Sequence, residues 1–161
     1  PSAVNTMDYI TIAATGNAAD FGDCIVSATY QGGCSQGHGG IEEGEPRGLP
    51  LGSGRAFFGG GETPARVNTI NEIHIPTLGS VSDFGDAKLG YSSTYNGANS
   101  YTRAIIMNRA MTDSPYTTTV VESFEMQSRG NGADFGDLSA ARREGGNLSS
   151  STRGVTGGGE Q

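Results

Sequence analysis

Three stretches of the chain share one pattern of apolar and polar positions. They are Thr6-Met7-Asp8-Tyr9-Ile10-Thr11-Ile12, Thr69-Ile70-Asn71-Glu72-Ile73-His74-Ile75 and Val120-Val121-Glu122-Ser123-Phe124-Glu125-Met126. Large apolar residues occupy the second, fifth and seventh places each time. The fifth and seventh keep the two-residue period of a half-buried strand. A short turn sequence follows each stretch: Thr15-Gly16-Asn17, Leu78-Gly79-Ser80 and Arg129-Gly130-Asn131. The pattern therefore predicts three strand-turn units.

Two residues after each turn comes the same tetrapeptide: Asp20-Phe21-Gly22-Asp23, Asp83-Phe84-Gly85-Asp86 and Asp134-Phe135-Gly136-Asp137. Three occurrences in 161 residues mark a repeat array with a unit of about 50 residues. A second matched segment begins with arginine. It reads Arg55-Ala56-Phe57-Phe58-Gly59-Gly60-Gly61, then Arg103-Ala104-Ile105-Ile106-Met107-Asn108-Arg109, then Arg153-Gly154-Val155-Thr156-Gly157-Gly158-Gly159. The middle copy has lost its glycines. The repeats span about 4–66, 67–118 and 119–161 of a single repeat domain. The first holds about 15 extra residues, expected as a surface loop at 31–54 that includes Cys34, His38, Glu42, Glu43 and Glu45.

Composition fits short strands and many turns. There are 27 glycines, no tryptophan and only 34% hydrophobic residues, with clusters of Gly, Ser, Thr and Asn between the apolar segments. The expected class is all-β. A net charge of −7, with Lys88 the sole lysine, leaves no basic stripe for nucleic acid. No apolar run approaches the roughly 18 residues of a membrane span. The start, Pro1-Ser2-Ala3-Val4, lacks a charged segment and apolar block, so the expectation is a mature product without a signal peptide. Cys24 and Cys34 lie in the first repeat alone and are expected to be thiols or one local bridge.

The repeated residues have structural reasons. Gly22, Gly85 and Gly136 allow positive φ at sharp reversals. The flanking aspartates can accept hydrogen bonds from turn N–H groups. Phe21, Phe84 and Phe135 are expected to be equivalent and buried between units. Arg55, Arg103 and Arg153 can reach carboxylates of their own or a neighbouring unit. A Ca²⁺ site at each tetrapeptide would need six to eight oxygens, more than two aspartates supply, so no metal or cofactor is expected. The Asp-Phe-Gly triplet lacks the remaining kinase motifs. The triple glycines precede neither Lys-Ser/Thr nor a helical pattern, which excludes a phosphate loop. His38 and His74 have no partner at a catalytic spacing, and His74 takes a polar strand position held by Thr11 and Glu125 elsewhere. Tyr91, Tyr95 and Tyr101 stand among Ser and Asn, a composition suited to carbohydrate or protein contact.

An Arg-led strand ending in consecutive glycines within a 50-residue unit resembles the kelch repeat. The segment 134–142 is similar to the kelch stretch in which an aromatic residue precedes a small residue and an arginine. The segment 150–159 is similar to the strand and glycine turn that follow. The combination resembles kelch-like proteins of tailed bacteriophages, which carry Asp-Phe-Gly-Asp in series with Arg-led strands. The sequence departs from kelch in having Phe where those repeats carry Trp. The resemblance implies four-stranded β-propeller blades, one per repeat, and a virion or tail-associated location.

Propellers close with four to eight blades, so three repeats leave two open edges in search of partners. The expected function is a non-enzymatic virion structural protein, a capsid or tail decoration or accessory protein acting by assembly. Its partners would be further copies of itself and other virion proteins. The alternative is a host-recognition module of a phage tail that binds surface glycans through its tyrosines. A more distant one is an enzyme of the galactose-oxidase type, whose copper site takes Tyr, His and Cys in a defined cluster.

Overall fold

The computed structural model describes residues 3–29, 32–35, 54–92, 97–111, 116–150 and 152–161. The described residues form strands and turns and no helix, as the all-β expectation requires. The first repeat contributes β1 (Val4–Tyr9), β2 (Ala19–Ala28), β3 (Gly32–Ser35), β4 (Arg55–Gly59) and the short β5 (Glu62–Thr63). The second contributes β6 (Ala65–His74), β7 (Ser82–Ser92), β8 (Gly97–Asn99), β9 (Arg103–Ile106) and β10 (Ala110–Met111). The third contributes β11 (Thr118–Glu125), β12 (Ala133–Arg142), β13 (Gly146–Ser149) and β14 (Gly154–Gly157).

Each repeat is two antiparallel hairpins. The alternating stretch pairs with the tetrapeptide strand in β1–β2, β6–β7 and β11–β12. The Arg-led strand pairs with a short strand before it in β3–β4, β8–β9 and β13–β14. The sheets do not coincide with the sequence repeats. β4 pairs onward with β6, and β9 with β11. The order β10-β7-β6-β4-β3, with β5 also on β6, and the order β12-β11-β9-β8 therefore each join the second hairpin of one repeat to the first of the next, while β1-β2 and β13-β14 remain two-stranded.

The tetrapeptide lies inside a strand and makes a β-bulge, not the chain reversal expected of it. Met7 faces Gly22 and Asp8 faces Asp20, so Phe21 is the extra residue. Ile70, Asn71 and Phe84 repeat this, as do Val121, Glu122 and Phe135. The glycines take φ of 149°, 156° and 146°, a region closed to residues with a Cβ. Their missing Cβ also makes room. One at Gly22 would stand 2.5 Å from the carbonyl of Gly79, and one at Gly85 2.4 Å from that of Gly130. The turn of the next repeat presses there and bonds to the bulge. Gly79 N–H donates to Phe21 O at 2.9 Å and Val81 N–H to Asp23 O at 3.0 Å. Gly130 N–H donates to Phe84 O at 3.2 Å and Gly132 N–H to Asp86 O at 2.7 Å. Backbone carbonyls thus take the role expected of the aspartate side chains. Of the acids, Asp137 accepts from the Thr119 hydroxyl at 2.8 Å.

The glycines missing from the second repeat are accounted for locally. Gly60, Asn108 and Gly158 occupy one position and share φ of 67°, 59° and 71°. Asparagine is among the few other residues that visit this left-handed region readily. The insertion of the first repeat is narrower than its expected span. Gly32–Ser35 is strand β3, so the excess falls between Ser35 and Gly54. In the other repeats that connection is a tight turn. Ser100 N–H donates to Arg103 O at 2.8 Å and Ser150 N–H to Arg153 O at 2.9 Å. His38 and the acids Glu42, Glu43 and Glu45 lie outside the described residues.

The core sits between the six-stranded and the four-stranded sheet. Phe57 and Phe84 from one meet Phe124 from the other, with centroids 5.0 to 5.4 Å apart in edge or tilted arrangements. Ile70, Tyr91, Ile106 and Met126 complete the cluster. Phe21 and Phe84 are buried, at 8% and 3% exposure, but Phe135 is 55% exposed. The expectation of three equivalent buried phenylalanines fails for the third, because no further sheet lies over it. Truncating Phe84 to alanine should therefore cost about 3–5 kcal/mol, as for a core aromatic. Phe135→Ala in dilute solution should cost less than about 1 kcal/mol. Urea denaturation of both variants checks the contrast.

Candidate functional site

Three charged contacts hold the repeats in order. Arg55 opens β4, opposite His74, and its guanidinium forms an ion pair with Glu72, two residues along β6. Arg129, from the turn before β12, reaches the other oxygen of the same carboxylate at 2.9 Å, and Ser82 Oγ donates to it at 3.3 Å. Arg55 also donates to the carbonyl of Met126. Glu72 thus clasps arginines from the first and third repeats. Burial works to raise its pKa, but hydrogen bonds from Arg55 and Arg129 outweigh that and hold it below the usual carboxylate range. Arg103 repeats the motif with Glu125 at 2.7 Å, in a more exposed setting. The repeat arginines therefore pair with strand glutamates and not with the tetrapeptide acids. Arg153 is exposed.

The third contact is buried. Arg109 and Glu122 are fully buried and 2.8 Å apart. Glu122 also accepts the Lys88 N–H at 3.1 Å, and the guanidinium lies 5.6 Å from the Tyr91 ring centroid. Arg109 stands where the other repeats have glycine, beside the left-handed Asn108. Sequence reasoning passed over it as a lost glycine, although a charged residue in a glycine slot was the available signal.

Of the tyrosines singled out for ligand contact, Tyr91 is 3% exposed and packs in the core, which corrects that expectation. Tyr101 is 45% exposed, and Tyr95 lies outside the described residues. His74 is exposed at the end of β6, its Nδ1 3.0 Å from Thr77 Oγ1. Among the described residues no group of three or more His, Cys, Asp or Glu gathers as a metal site. Cys24 is buried; burial first, and the Asp23 charge after it, raise its pKa.

What remains is at the two ends of the array. At one, the end of β1 and the residues after it present Tyr9, Ile10 and Ile12 at 41%, 64% and 96% exposure. In the third repeat the counterparts of the two isoleucines are Phe124 and Met126, at 5% and 0%. At the other end a cleft of about 650 Å³ opens between Arg103, Ile105, Met107, Phe135, Asp137 and Gly154. The Arg103 guanidinium lies 5.9 Å from the Phe135 centroid, as Arg55 lies 5.8 Å from that of Phe84. Leu148 and Val155 on β13 and β14 are 76% and 54% exposed. A Cβ on Gly136 would meet nothing within 4 Å. The ends expose surfaces that the interior covers.

Two outcomes follow for the charged contacts. A carboxylate with a depressed folded pKa adds stability that is present above the ordinary glutamate range, near 4.3, and is lost as pH falls through the folded value. Stability of the chain should therefore fall more steeply below about pH 5 than that of Glu72→Gln, whose acid limb should be flatter. Thermal melts across pH 2–7 read this directly. Arg109→Ala leaves Glu122 buried and unpaired and should cost about 3–5 kcal/mol. The double variant Arg109→Met, Glu122→Leu should recover much of the loss in the same denaturation assay.

No family model matches the chain, and no curated protein matches it.

Proposed function

We propose that this chain is a non-enzymatic structural protein of a bacteriophage particle, a decoration or accessory protein of capsid or tail that acts by assembly. In this reading the two larger sheets are kelch-like blades, and the incomplete ones at either end are binding edges. The observation that carries it is the contrast between ends and interior. Ile10, Val155 and Phe135 are exposed at the ends, at positions where inner repeats bury Phe124, Phe57 and Phe84. Unpaired strand edges flanked by apolar side chains are surfaces for protein partners. The resemblance of the triple Asp-Phe-Gly-Asp series to phage proteins supplies the particle. The glycan-binding alternative has lost Tyr91 to the core and keeps the exposed Tyr101.

The test uses an antibody raised against the purified chain on gradient-purified phage particles that carry its gene. Immunogold labelling at fixed positions on capsid or tail is the expected result. Abundant chain in the lysate with none in the particles would overturn the reading.

A further inference from the structure

The junction between successive repeats is built twice in this chain, from the same parts. β4 pairs with β6 so that Arg55 faces His74, Phe57 faces Glu72 and Gly59 faces Ile70. β9 pairs with β11 so that Arg103 faces Glu125 and Ile105 faces Ser123. In each case the turn of the later repeat bonds to the bulge of the earlier one. A turn side chain adds a third bond. Asp23 N–H donates to Ser80 Oγ at 3.4 Å and Asp86 N–H to Asn131 Oδ1 at 3.0 Å.

The parts of a third such junction are present but on opposite ends. β14, the later strand of its hairpin, has its outer edge unpaired among the described residues, and so has β1, the earlier strand of its own. We propose that the partner covering these ends is a second copy of this chain, joined head to tail. β14 of one copy pairs antiparallel with β1 of the next, completing a four-stranded sheet β13-β14-β1-β2 in the register of the inner two. Val155 then faces Tyr9, and Gly157 faces Met7.

The remaining contacts follow residue by residue. Phe135 O accepts from Gly16 N–H, and Asp137 O from Ala18 N–H. Asn17 Oδ1 accepts from Asp137 N–H, as Asn131 does from Asp86. Ile10 and Ile12 enter the cleft over Phe135, the seats that Phe124 and Met126 fill inside. Arg103 reaches the carbonyl of Ile12, as Arg55 reaches that of Met126. Two details of the chain agree with this occupant. Gly136 has the φ of 146° that the inner bulges use to admit a turn, although no turn presses on it. Gly16 and Asn17 keep the residue types of Gly130 and Asn131, the turn that docks on the bulge of the second repeat.

The contact is heterologous: head meets tail, so copies close into a ring or extend. That makes it testable in a way a face-to-face dimer is not. Ile10→Asp blocks the head and leaves the tail intact, and Phe135→Asp does the reverse. Both side chains are exposed in the single chain, so both variants should keep the strand signal in circular dichroism. By sedimentation at tens of micromolar, the unaltered chain should run as an oligomer and each variant alone as one chain of 16.5 kDa. Mixed in equal amounts, the variants should form a species of two chains and no larger. A second measurement fixes the register: Tyr9→Cys with Val155→Cys should crosslink between copies on oxidation, and Thr6→Cys with Val155→Cys should not.

A monomeric unaltered chain, a mixture that stays monomeric, or a variant that dimerises alone would each overturn the proposal. It deepens the assembly reading by naming the partner, yet the two fail separately. Sedimentation needs no particle, and particle labelling needs no self-association.

Discussion

Everything in this chain depends on the backbone pairing between the last strand of one repeat and the first strand of the next. β4 with β6 and β9 with β11 convert hairpins that would be marginal alone into sheets of six and four strands. The offset has a geometric consequence. With sheets completed only by a following repeat, an array of three units yields two whole sheets and two halves. The exposed isoleucines just beyond β1 and the exposed Val155 of β14 stand where the pairing stops.

The second constraint acts between sheets. A bulge pushes phenylalanine out of the ladder toward the neighbouring sheet, and the glycine beside it admits the neighbouring turn to within backbone hydrogen-bonding distance. One tetrapeptide therefore supplies both an apolar knob and a docking notch. This explains why Phe and Gly recur together. It also explains why identity of sequence does not give identity of environment. Phe84 is buried because a whole sheet lies over it, and Phe135 is exposed because none does.

The strands, the hairpin turns and the threefold order were legible in the sequence, since periodicity and turn chemistry are local. The tetrapeptide glycines were rightly assigned positive φ, but the motif was read as a reversal. A bulge and a turn ask for the same glycine, and only the partner strand tells them apart. The sheet boundaries were not legible either, because a repeat unit can be cut at any phase and sequence alone does not reveal which hairpin pairs across the cut. Tyr91 looked like a surface residue from its Ser and Asn neighbours. In fact its side chain alternates inward from β7, with the backbone carbonyl accepting from Gly61 N–H at 2.8 Å. The charged partners of the arginines were missed for a different reason. Glu72 sits at a strand position that the other repeats fill with Tyr9 and Ser123, so repeat comparison hides it.

The choice of arginine follows from the same architecture. Nearly all the basic residues are arginine, and the chain is otherwise acidic, with a net charge of −7. At the repeat junctions a cation must do three things together: lie against a phenylalanine ring, pair with a carboxylate and donate to a backbone carbonyl. Arg55 does all three, against Phe57 and Phe84, with Glu72 and with Met126 O. A planar guanidinium with several fixed donors can, while a lysine ammonium is a single hydrated point charge. Arg103 already lies over Phe135 and pairs with Glu125, with a cleft open beside it. Joining therefore adds apolar burial and backbone bonds to a prepositioned cation, and these must exceed the repulsion between two acidic chains. The free energy of assembly would reside in the strand edge and the isoleucines, with the arginine setting the register.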